Sequence, residues 1–498
     1  MNESEGLRFR RLNRPQIITD ETHEPQYKAT STYSGKVFRV TLLTLVAFLF
    51  LPLLVVVFLL ESPIQPDVFS LNEPPLMTGC YEPNLKLRQA ERLFEDRLIG
   101  PESLANIGDV LYTGTADGKI VKIEGRSIHV LATLGKPPCG SREYEHTCGR
   151  PLGIRVGPNG TLFVADAYLG LFEVNPVTGK ERESTYSALK SHYPFNGIIH
   201  SKYKFCHYSF TCMISKTCMC SFFIFFNGTQ LEKLRHLYNS HPPIVHSVHI
   251  CLSLSVSFWL LGEVKSLVST GKMIAGRRLG FVNDLDVTQD GKKVYFTDSS
   301  SRWQRRDFMH LIMEATADGR VLEYDIETKE VTVMMENLRF PNGIQLFPDE
   351  ESVLVAETTM ARIRRVHVSG LNKGGMDTFI DNLPGFPDNI RRSSSGGYWV
   401  AMSAVRPNPG FSMLDFLSQR PWLKKLIFKL FSQDTLLKFV PRYSLVVELQ
   451  DGGTCVRSFH DPHGMVAAYI SEAHEYNGHL YLGSFRSPYL CKLDLSKV

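Results

Sequence analysis

The sequence lacks the short motifs that identify several large enzyme classes. It contains no G-x-S-x-G nucleophile elbow, no phosphate-binding Walker loop and no dinucleotide-binding fingerprint. His474-Glu475 is followed by His479, which is one residue too far for a zinc-binding H-E-x-x-H helix and lies beyond an Asn-Gly turn. These absences exclude a serine hydrolase of the elbow type, nucleotide-dependent enzymes with a Walker loop or a dinucleotide-binding fingerprint, and a zinc peptidase of the H-E-x-x-H type.

The chain also lacks a large excess of charge of either sign. Lys and Arg number 55 against 51 Asp and Glu, a formal net charge of +4 over 498 residues. No basic stripe interleaved with aromatic residues is present. Nucleic acid is therefore not an expected partner.

A long uncharged hydrophobic run is present near the N-terminus. Residues 40–60 are apolar enough to cross a bilayer as a helix, in which Pro52 is tolerable. The run is too long and begins too late for a cleaved signal peptide. Basic residues precede it, whereas acidic residues follow before the first lysine at Lys86, so the positive-inside rule places residues 1–39 in the cytosol. Their polar composition without strand or helix periodicity predicts a disordered cytoplasmic tail. We therefore expect a single-pass type II membrane protein of the endoplasmic reticulum or plasma membrane.

This orientation places everything after residue 60 in an oxidising compartment. Cys139 and Cys148 flank a short polar loop and are expected to form a disulfide, the alternative being two reduced thiols. Asn159 begins an Asn-Gly-Thr sequon in a tight turn and is expected to carry a glycan, the alternative being a plain turn.

A β-hairpin unit recurs along the rest of the chain. Residues 281–298 show it completely: an Asn-Asp pair, an alternating apolar run, an Asp-Gly turn and a second strand rich in β-branched and aromatic residues. Six such second strands follow Gly108, Gly160, Gly291, Glu351, Gly397 and Gly478. The repeat predicts an all-β fold, a six-bladed β-propeller over residues 101–498 joined to the membrane helix by a lumenal linker at 61–100.

The first strand of each unit begins beside the channel of a propeller and carries mainly oxygen-bearing side chains. These residues are Glu102, Asn283, Asn342, Asp388, Asn389 and, in the last unit, His463. Carboxylate and amide oxygens converging on one axis are the ligands that Ca²⁺ prefers. The alternative is that these residues only form turns between blades.

One segment, about 180–262, differs in composition from its surroundings. It contains five cysteines, and it widens the spacing between two units from about 50 residues to 131. Without it, the flanking sequence reads as a continuous strand-turn-strand, so we expect a retained intron or a gene-model error. The cysteines lack the C-x2-C spacing of a zinc site. The hydrophobic stretch at 244–262 cannot be a second membrane span, because it would divide a closed propeller between two sides of the membrane. The sequon at Asn227 depends on whether the segment is real.

The region between the fifth and sixth units has helical rather than strand periodicity. Apolar residues and lysines alternate over 412–440 in a pattern that predicts one or two amphipathic helices. These helices either form a lid on the propeller or contact the lumenal leaflet, and the two roles are compatible.

The segments FVNDLDVTQDGKKVYFTDSS, FPNGI, LPGFPDNIR and GGYWVAM resemble the strictosidine synthase-like branch of six-bladed propellers, related to paraoxonases and other calcium-dependent esterases and lactonases. The resemblance extends from Glu91 to the C-terminus, apart from the anomalous segment. It implies a channel calcium held by Glu102, Asn283, Asn342, Asp388 and Asn389. In such enzymes the metal polarises an ester or lactone carbonyl.

Two departures from the family pattern bear on the function. Where the paraoxonases carry a catalytic His, this chain has Leu152, with His463 as a possible substitute that is more often structural. The region of the alkaloid synthases' catalytic Glu places either Ser471 or Glu472 there, so alkaloid synthesis is not expected. Two hypotheses remain: a calcium-dependent hydrolase with weak arylesterase-type activity on small esters, or a non-catalytic binding module with a structural calcium.

Overall fold

The computed structural model describes residues 33–176 and 263–498, divided between two compact units, Met1–Glu61 and Ser62–Val498. In the first unit, helix α1 (Tyr33–Leu59) contains all but the last residue of the predicted span and begins seven residues before it. By length and composition α1 can cross a membrane. Residues 1–32 of the predicted tail lie outside the described residues.

The second unit contains six four-stranded antiparallel sheets, which confirms the predicted six-bladed propeller. Blade one consists of β2 (Leu104–Ile107), β3 (Val110–Gly114), β4 (Lys119–Glu124) and β5 (Ser127–Thr133). Blade two consists of β6 (Pro151–Val156), β7 (Leu162–Asp166), β8 (Gly170–Asn175) and β9 (Glu263–Ser269). Blade three consists of β12 (Val282–Val287), β13 (Lys293–Asp298), β14 (Gly319–Asp325) and β15 (Val331–Leu338).

The other three blades repeat this order. Blade four consists of β16 (Pro341–Leu346), β17 (Ser352–Glu357), β18 (Arg362–His367) and β19 (Met376–Ile380). Blade five consists of β20 (Gly385–Arg392), β21 (Tyr398–Val405), β22 (Ser444–Leu449) and β23 (Cys455–Asp461). Blade six consists of β24 (Ile470–Tyr476), β25 (His479–Ser484), β26 (Leu490–Asp494) and β1 (Glu91–Leu93). A two-stranded hairpin, β10 (Met273–Ile274) and β11 (Arg277–Arg278), lies between blades two and three.

Short helices connect the strands. The α-helices are α2 (Glu145–Cys148), α3 (Phe308–Glu314), α4 (Met413–Ser418), α5 (Pro421–Leu430) and α6 (Gln433–Leu437). The 3-10 turns are Gly79–Tyr81, Lys86–Gln89, Arg142–Tyr144, Arg305–Asp307, Thr358–Met360 and Leu495–Lys497.

Apolar side chains between neighbouring blades form the core. Phe163 and Leu171 of blade two, for example, pack in one cluster with Val282, Leu285 and Phe296 of blade three. Each such side chain contributes roughly 1.5–3 kcal/mol on burial. The alternation that predicted the hairpins therefore also supplies the faces that hold one blade against the next.

The ring is closed by the N-terminal part of the second unit, which the sequence did not predict. β1 pairs with β26, so blade six is built from both ends of the chain. The predicted linker at 61–100 is corrected in this respect: a run of three residues was too short to show strand periodicity, and its partner is about 400 residues away. We call residues 62–90, which lead to β1, the strap.

Two disulfides are present among the described residues. Cys139–Cys148 confirms the predicted pair. Cys80–Cys455 was not predicted, and it joins the strap to β23 across a sequence separation of 375 residues. Cys491 is a buried free thiol.

The anomalous segment lies almost wholly within residues 177–262, which are outside the described residues, as is Asn227. Its flanks are informative, because Asn175 at the end of β8 pairs directly with Glu263 at the start of β9. The chain leaves blade two and returns to it at adjacent positions. A short turn would suffice there, and the origin of the segment stays a prediction.

The predicted amphipathic region forms α4, α5 and α6, which we call the lid. Ser412 caps α4 by accepting a hydrogen bond from the Asp415 N–H, and Pro421 begins α5. The inward faces of the first two helices bury Leu414, Leu417 and Phe428 in a cluster with side chains of α3 and blade five. The lid therefore packs on the propeller, as the first of the two predicted roles requires.

Candidate metal centre in the propeller channel

Local irregularities in the innermost strands place the predicted ligands. In blades three, four and five, the pairing of the first two strands shifts register between Val282 and Leu285, between Pro341 and Ile344, and between Pro387 and Ile390. Asn283, Asn342, Asp388 and Asn389 lie within these shifts. Bulges of this kind redirect side chains and are frequent beside active sites.

Four of the five predicted ligands line one cavity of about 190 Å³ between the channel and the lid. Glu102, Asn283, Asn342 and Asp388 form its polar floor, which we call the cavity layer. Its walls are mainly apolar and come from the bases of the blades, from α3 and from the lid; they include Phe281, Phe340, Phe386, Met309, Leu414 and Leu437. The fifth predicted ligand, Asn389, follows Asp388 in β20 and is buried.

Three oxygens, two at this floor and one directly beside it, have no hydrogen-bond partner among the described residues. They are the Oδ1 atoms of Asn342, Asp388 and Asn389, and each is buried. A buried oxygen without a partner costs about 1–3 kcal/mol. No group of three His, Cys, Asp and Glu side chains in the described ranges could hold a metal. A mixed set of amide and carboxylate oxygens fits a hard cation such as Ca²⁺ better than zinc.

The two carboxylates of the cavity layer are electrostatically strained. Burial, and then the neighbouring carboxylate of Glu102, raises the pKa of Asp388 well above its ordinary value. Burial also raises the pKa of Glu102, although Arg150 and Arg305 act in the opposite direction. The buried Arg150 lies 3.5 Å from Glu102, a distance that gives only a weak ion pair. The floor therefore retains an uncompensated preference for positive charge.

One arginine that lines the cavity, Arg305, was not among the site residues predicted from the sequence. Arg305 lines the wall, where its Nη1 donates to Glu145 at 2.8 Å and its Nη2 donates to the Phe485 carbonyl at 3.2 Å. Glu145 belongs to α2, inside the loop closed by Cys139–Cys148. Arg305 lies in a non-repeated connection, so the repeat pattern gave no signal for it.

The predicted catalytic candidates Glu472 and His463 do not line the cavity. Glu472 is fully buried, accepts a 2.7 Å hydrogen bond from the Leu104 N–H and pairs with Arg391. His463 is exposed in the turn after β23. Its predicted place at the start of an innermost strand is wrong, because β24 begins at Ile470 and it is Tyr469 that reaches the cavity.

Two other positions named in the sequence analysis, Leu152 and Asn159, lie in β6 and in the turn after it. Leu152, at the start of β6, lines the cavity where the related enzymes carry His. Asn159 is exposed in the turn between β6 and β7, so a glycan there would meet no steric obstacle within its own turn. Glycosylation itself stays a prediction.

The sequence is similar to those of several known proteins. The strictosidine synthase family model matches residues 283–371, and the model for the N-terminal region of strictosidine synthase-like proteins matches residues 79–123. The adipocyte plasma membrane-associated protein of Danio rerio is 78% identical over 498 residues, and that of Homo sapiens is 54% identical over 499, with all of both chains covered in each case. A solved gluconolactonase from Xanthomonas campestris is similar at 13% identity, covering 87% of this chain and 98% of that chain with a TM-score of 0.44. The chain thus belongs to the adipocyte plasma membrane-associated protein family of strictosidine synthase-like propellers.

Proposed function

We propose that this protein is a membrane-anchored, calcium-dependent hydrolase that cleaves small apolar carboxylic esters with a low, arylesterase-type rate. The observation that carries the proposal is the set of three buried, unpartnered oxygens, two at the floor of an apolar cavity and one in the residue next to it. A polar centre in an apolar recess is the usual form of a small-molecule site.

The anchoring part of the proposal rests on α1. This helix is long and apolar enough to span a bilayer, and the relatives are named plasma membrane-associated proteins. The excess of basic residues before the span favours a cytosolic N-terminus. A lumenal or extracellular propeller accords with the two disulfides.

The residues in and beside the cavity would have three different roles in hydrolysis. Glu102, Asn283, Asn342, Asp388 and Asn389 would hold calcium, which supplies Lewis-acid polarisation of the ester carbonyl when bound. The aromatic walls bind the acyl or aryl group and exclude bulk water, which strengthens every charge interaction inside. Arg305, fixed by Glu145, presents a positive charge beside the position where an oxyanion would develop.

A second function, binding without catalysis, is favoured by one observation. Leu152 occupies the position at which the paraoxonase pattern has its catalytic His, and no histidine lines the cavity among the residues that the structure describes. General-base catalysis typically contributes 10²–10⁴-fold. Without it, the expected rate is low, and a structural calcium would need no base at all.

Hydrolysis of phenyl acetate by the detergent-solubilised full chain tests the proposal. We expect activity that is lost on calcium chelation, restored by calcium and absent in Asp388→Asn. The matched control is Asp381→Asn, an exposed carboxylate just before blade five, which should retain full activity.

Three outcomes would decide between the functions. Activity that survives both chelation and Asp388→Asn would contradict the proposal. Absence of activity in a protein that calcium still stabilises against heating would favour the binding module. If calcium neither stabilises the protein nor activates it, the cavity layer is not a calcium site.

A further inference from the structure

Several large apolar side chains of the lid are exposed and do not line the cavity. They are Phe416, Trp422, Leu430 and Phe431, and we call this set the lid surface. Trp422 is 65% exposed. None of the four belongs to the cluster that packs the lid on the propeller, so that packing does not explain them.

The charges around the lid surface are mainly positive. Arg420, Lys438 and Arg442 are exposed at its margin. The two acidic residues of the lid are paired with arginines of the propeller: Asp415 with Arg406 at 2.6 Å, and Asp434 with Arg142. Exposed aromatic and leucine side chains bordered by basic residues are typical of helices that lie in the headgroup region of a bilayer.

The first residues of the strap, which begin the second unit, pack against the lid. Ile64 is fully buried in the same cluster as Leu417 and Phe428, and Phe69 joins it. The Ser62 hydroxyl also donates to the Lys425 carbonyl of α5 at 3.5 Å. The first residues of the second unit are therefore packed on the lid itself.

Chain connectivity gives this packing a consequence. α1 ends at Leu59, and the segment packed on the lid begins at Ser62. Three residues span at most about 10 Å. If α1 crosses a membrane, the residues packed against the lid emerge directly from that membrane's surface.

We propose that the lid surface docks on the bilayer in which α1 is anchored, with its aromatic side chains among the lipid headgroups. The partner is a lipid surface rather than a protein. Three observations favour it together: the aromatic and basic composition, the pairing of both acidic residues of the lid with arginines, and the short connection to a helix that can span a membrane. The inference concerns a surface and does not depend on the cavity's activity.

Tryptophan quenching in nanodiscs provides a direct test. The chain has four tryptophans, at 259, 303, 399 and 422, and none lies in α1. Full-length protein is reconstituted in nanodiscs of phosphatidylcholine with 20% phosphatidylserine, with and without brominated acyl chains. We expect brominated lipid to quench a fraction of the emission, and Trp422→Phe to remove most of that lipid-dependent quenching.

A matched variant moves the reporter to another exposed position. Leu371 is fully exposed in the turn between β18 and β19, which antiparallel pairing places on the face of blade four opposite the cavity. In Trp422→Phe/Leu371→Trp, the new tryptophan should not be quenched. Both substitutions are at exposed sites, so folding is expected to survive, and thermal unfolding checks this.

Three results would overturn the inference. The first is unchanged quenching in Trp422→Phe, and the second is no quenching in the wild-type chain. The third is that Trp422 is shielded only when the protein self-associates in detergent, which would make the lid surface an interface between copies.

Discussion

Two consecutive layers of the channel have opposite chemistry although the same strands build them. In the cavity layer, Asp388 and Asn342 carry buried oxygens that no described residue satisfies. In β12, the cavity layer contains Asn283, and the next residue is Asp284. Asp284 accepts hydrogen bonds from Arg391 at 2.9 and 3.2 Å and from the Ile344 N–H at 3.0 Å. Glu472 shares the same arginine. We call Asp284, Glu472 and Arg391 the arginine layer.

The contrast shows that burial of acidic residues does not by itself indicate a site. Burial acts to raise the pKa of Asp284, but Arg391 and Arg155 outweigh it and hold the pKa below its ordinary value. For Asp388, burial and then the charge of Glu102 outweigh a hydrogen bond with Asn342, so its pKa is raised. Carboxylates paired with Arg391 form part of the internal network of the channel, whereas a carboxylate without a cation at a cavity is a candidate for binding one.

The largest expected effect is in the arginine layer. Arg391→Met leaves Asp284 and Glu472 buried without their shared cation, and we expect it to lower the free energy of unfolding by about 3–5 kcal/mol. Chemical denaturation of the full chain in detergent measures this. Arg392→Met, which changes the neighbouring exposed arginine, is the control and should cost less than 1 kcal/mol. A small loss in Arg391→Met would mean that the arginine layer is not structural.

A substitution in the cavity layer should not lower the free energy of unfolding when calcium is absent. Without calcium, Asp388→Asn removes an unpaired buried charge and should not destabilise the protein. With calcium at 100 times its Kd, the wild-type chain should gain about 2.7 kcal/mol, and the variant should gain nothing. Thermal unfolding with and without the ion measures both. If Asp388→Asn is strongly destabilising without calcium, the carboxylate has a structural partner and the contrast between the layers fails.

A smaller effect is expected at a buried cation outside the channel. Lys424 of α5 is fully buried, its Nζ has no hydrogen-bond partner among the described residues, and it lies 4.5 Å from the centre of the Phe69 ring. Burial lowers its pKa from 10.5 to about 8. The unfolded chain therefore binds more protons between pH 8 and 10.5, so wild-type stability should rise with pH across that window.

Lys424→Met should remove this slope and stabilise the protein below pH 8. A shift of one pKa unit is worth about 1.4 kcal/mol, and the lost contact with Phe69 offsets part of the gain, so we expect about 2 kcal/mol. Denaturation at pH 7 and pH 10 measures it, with Lys425→Met as the control. Loss of stability at pH 7 would show that the ammonium group has a favourable partner.

The sequence predicts the repeated parts of the fold well, because each hairpin carries its own signal. Alternation and an Asp-Gly turn defined β12 and β13 before any contact was known. The residues that start the innermost strands inherit that register, which is why Asn283, Asn342 and Asp388 could be named as a group.

What the sequence did not predict depends on distant pairing. β1 and Cys80 find their partners only when the ring closes, and nothing local indicates them. Glu472 looks like a catalytic candidate in the sequence because its pairing with Arg391 of another blade is a tertiary contact. His463 was misplaced because its His-Gly step resembles the Asn-Gly and Asp-Asn starts, whereas an irregular turn separates it from β24.

The strap also determines how the protein carries mechanical load. A pull applied at Ser62 would first reach the lid contacts of Ile64 and Phe69 and then arrive at Cys80, where the covalent link to Cys455 transfers it to blade five. β1, which closes the ring through only three residue pairs, lies beyond that link and is shielded. The disulfide thus transfers the force to blade five before it reaches β1. After its reduction, the same force would act on β1 and open the propeller at blade six.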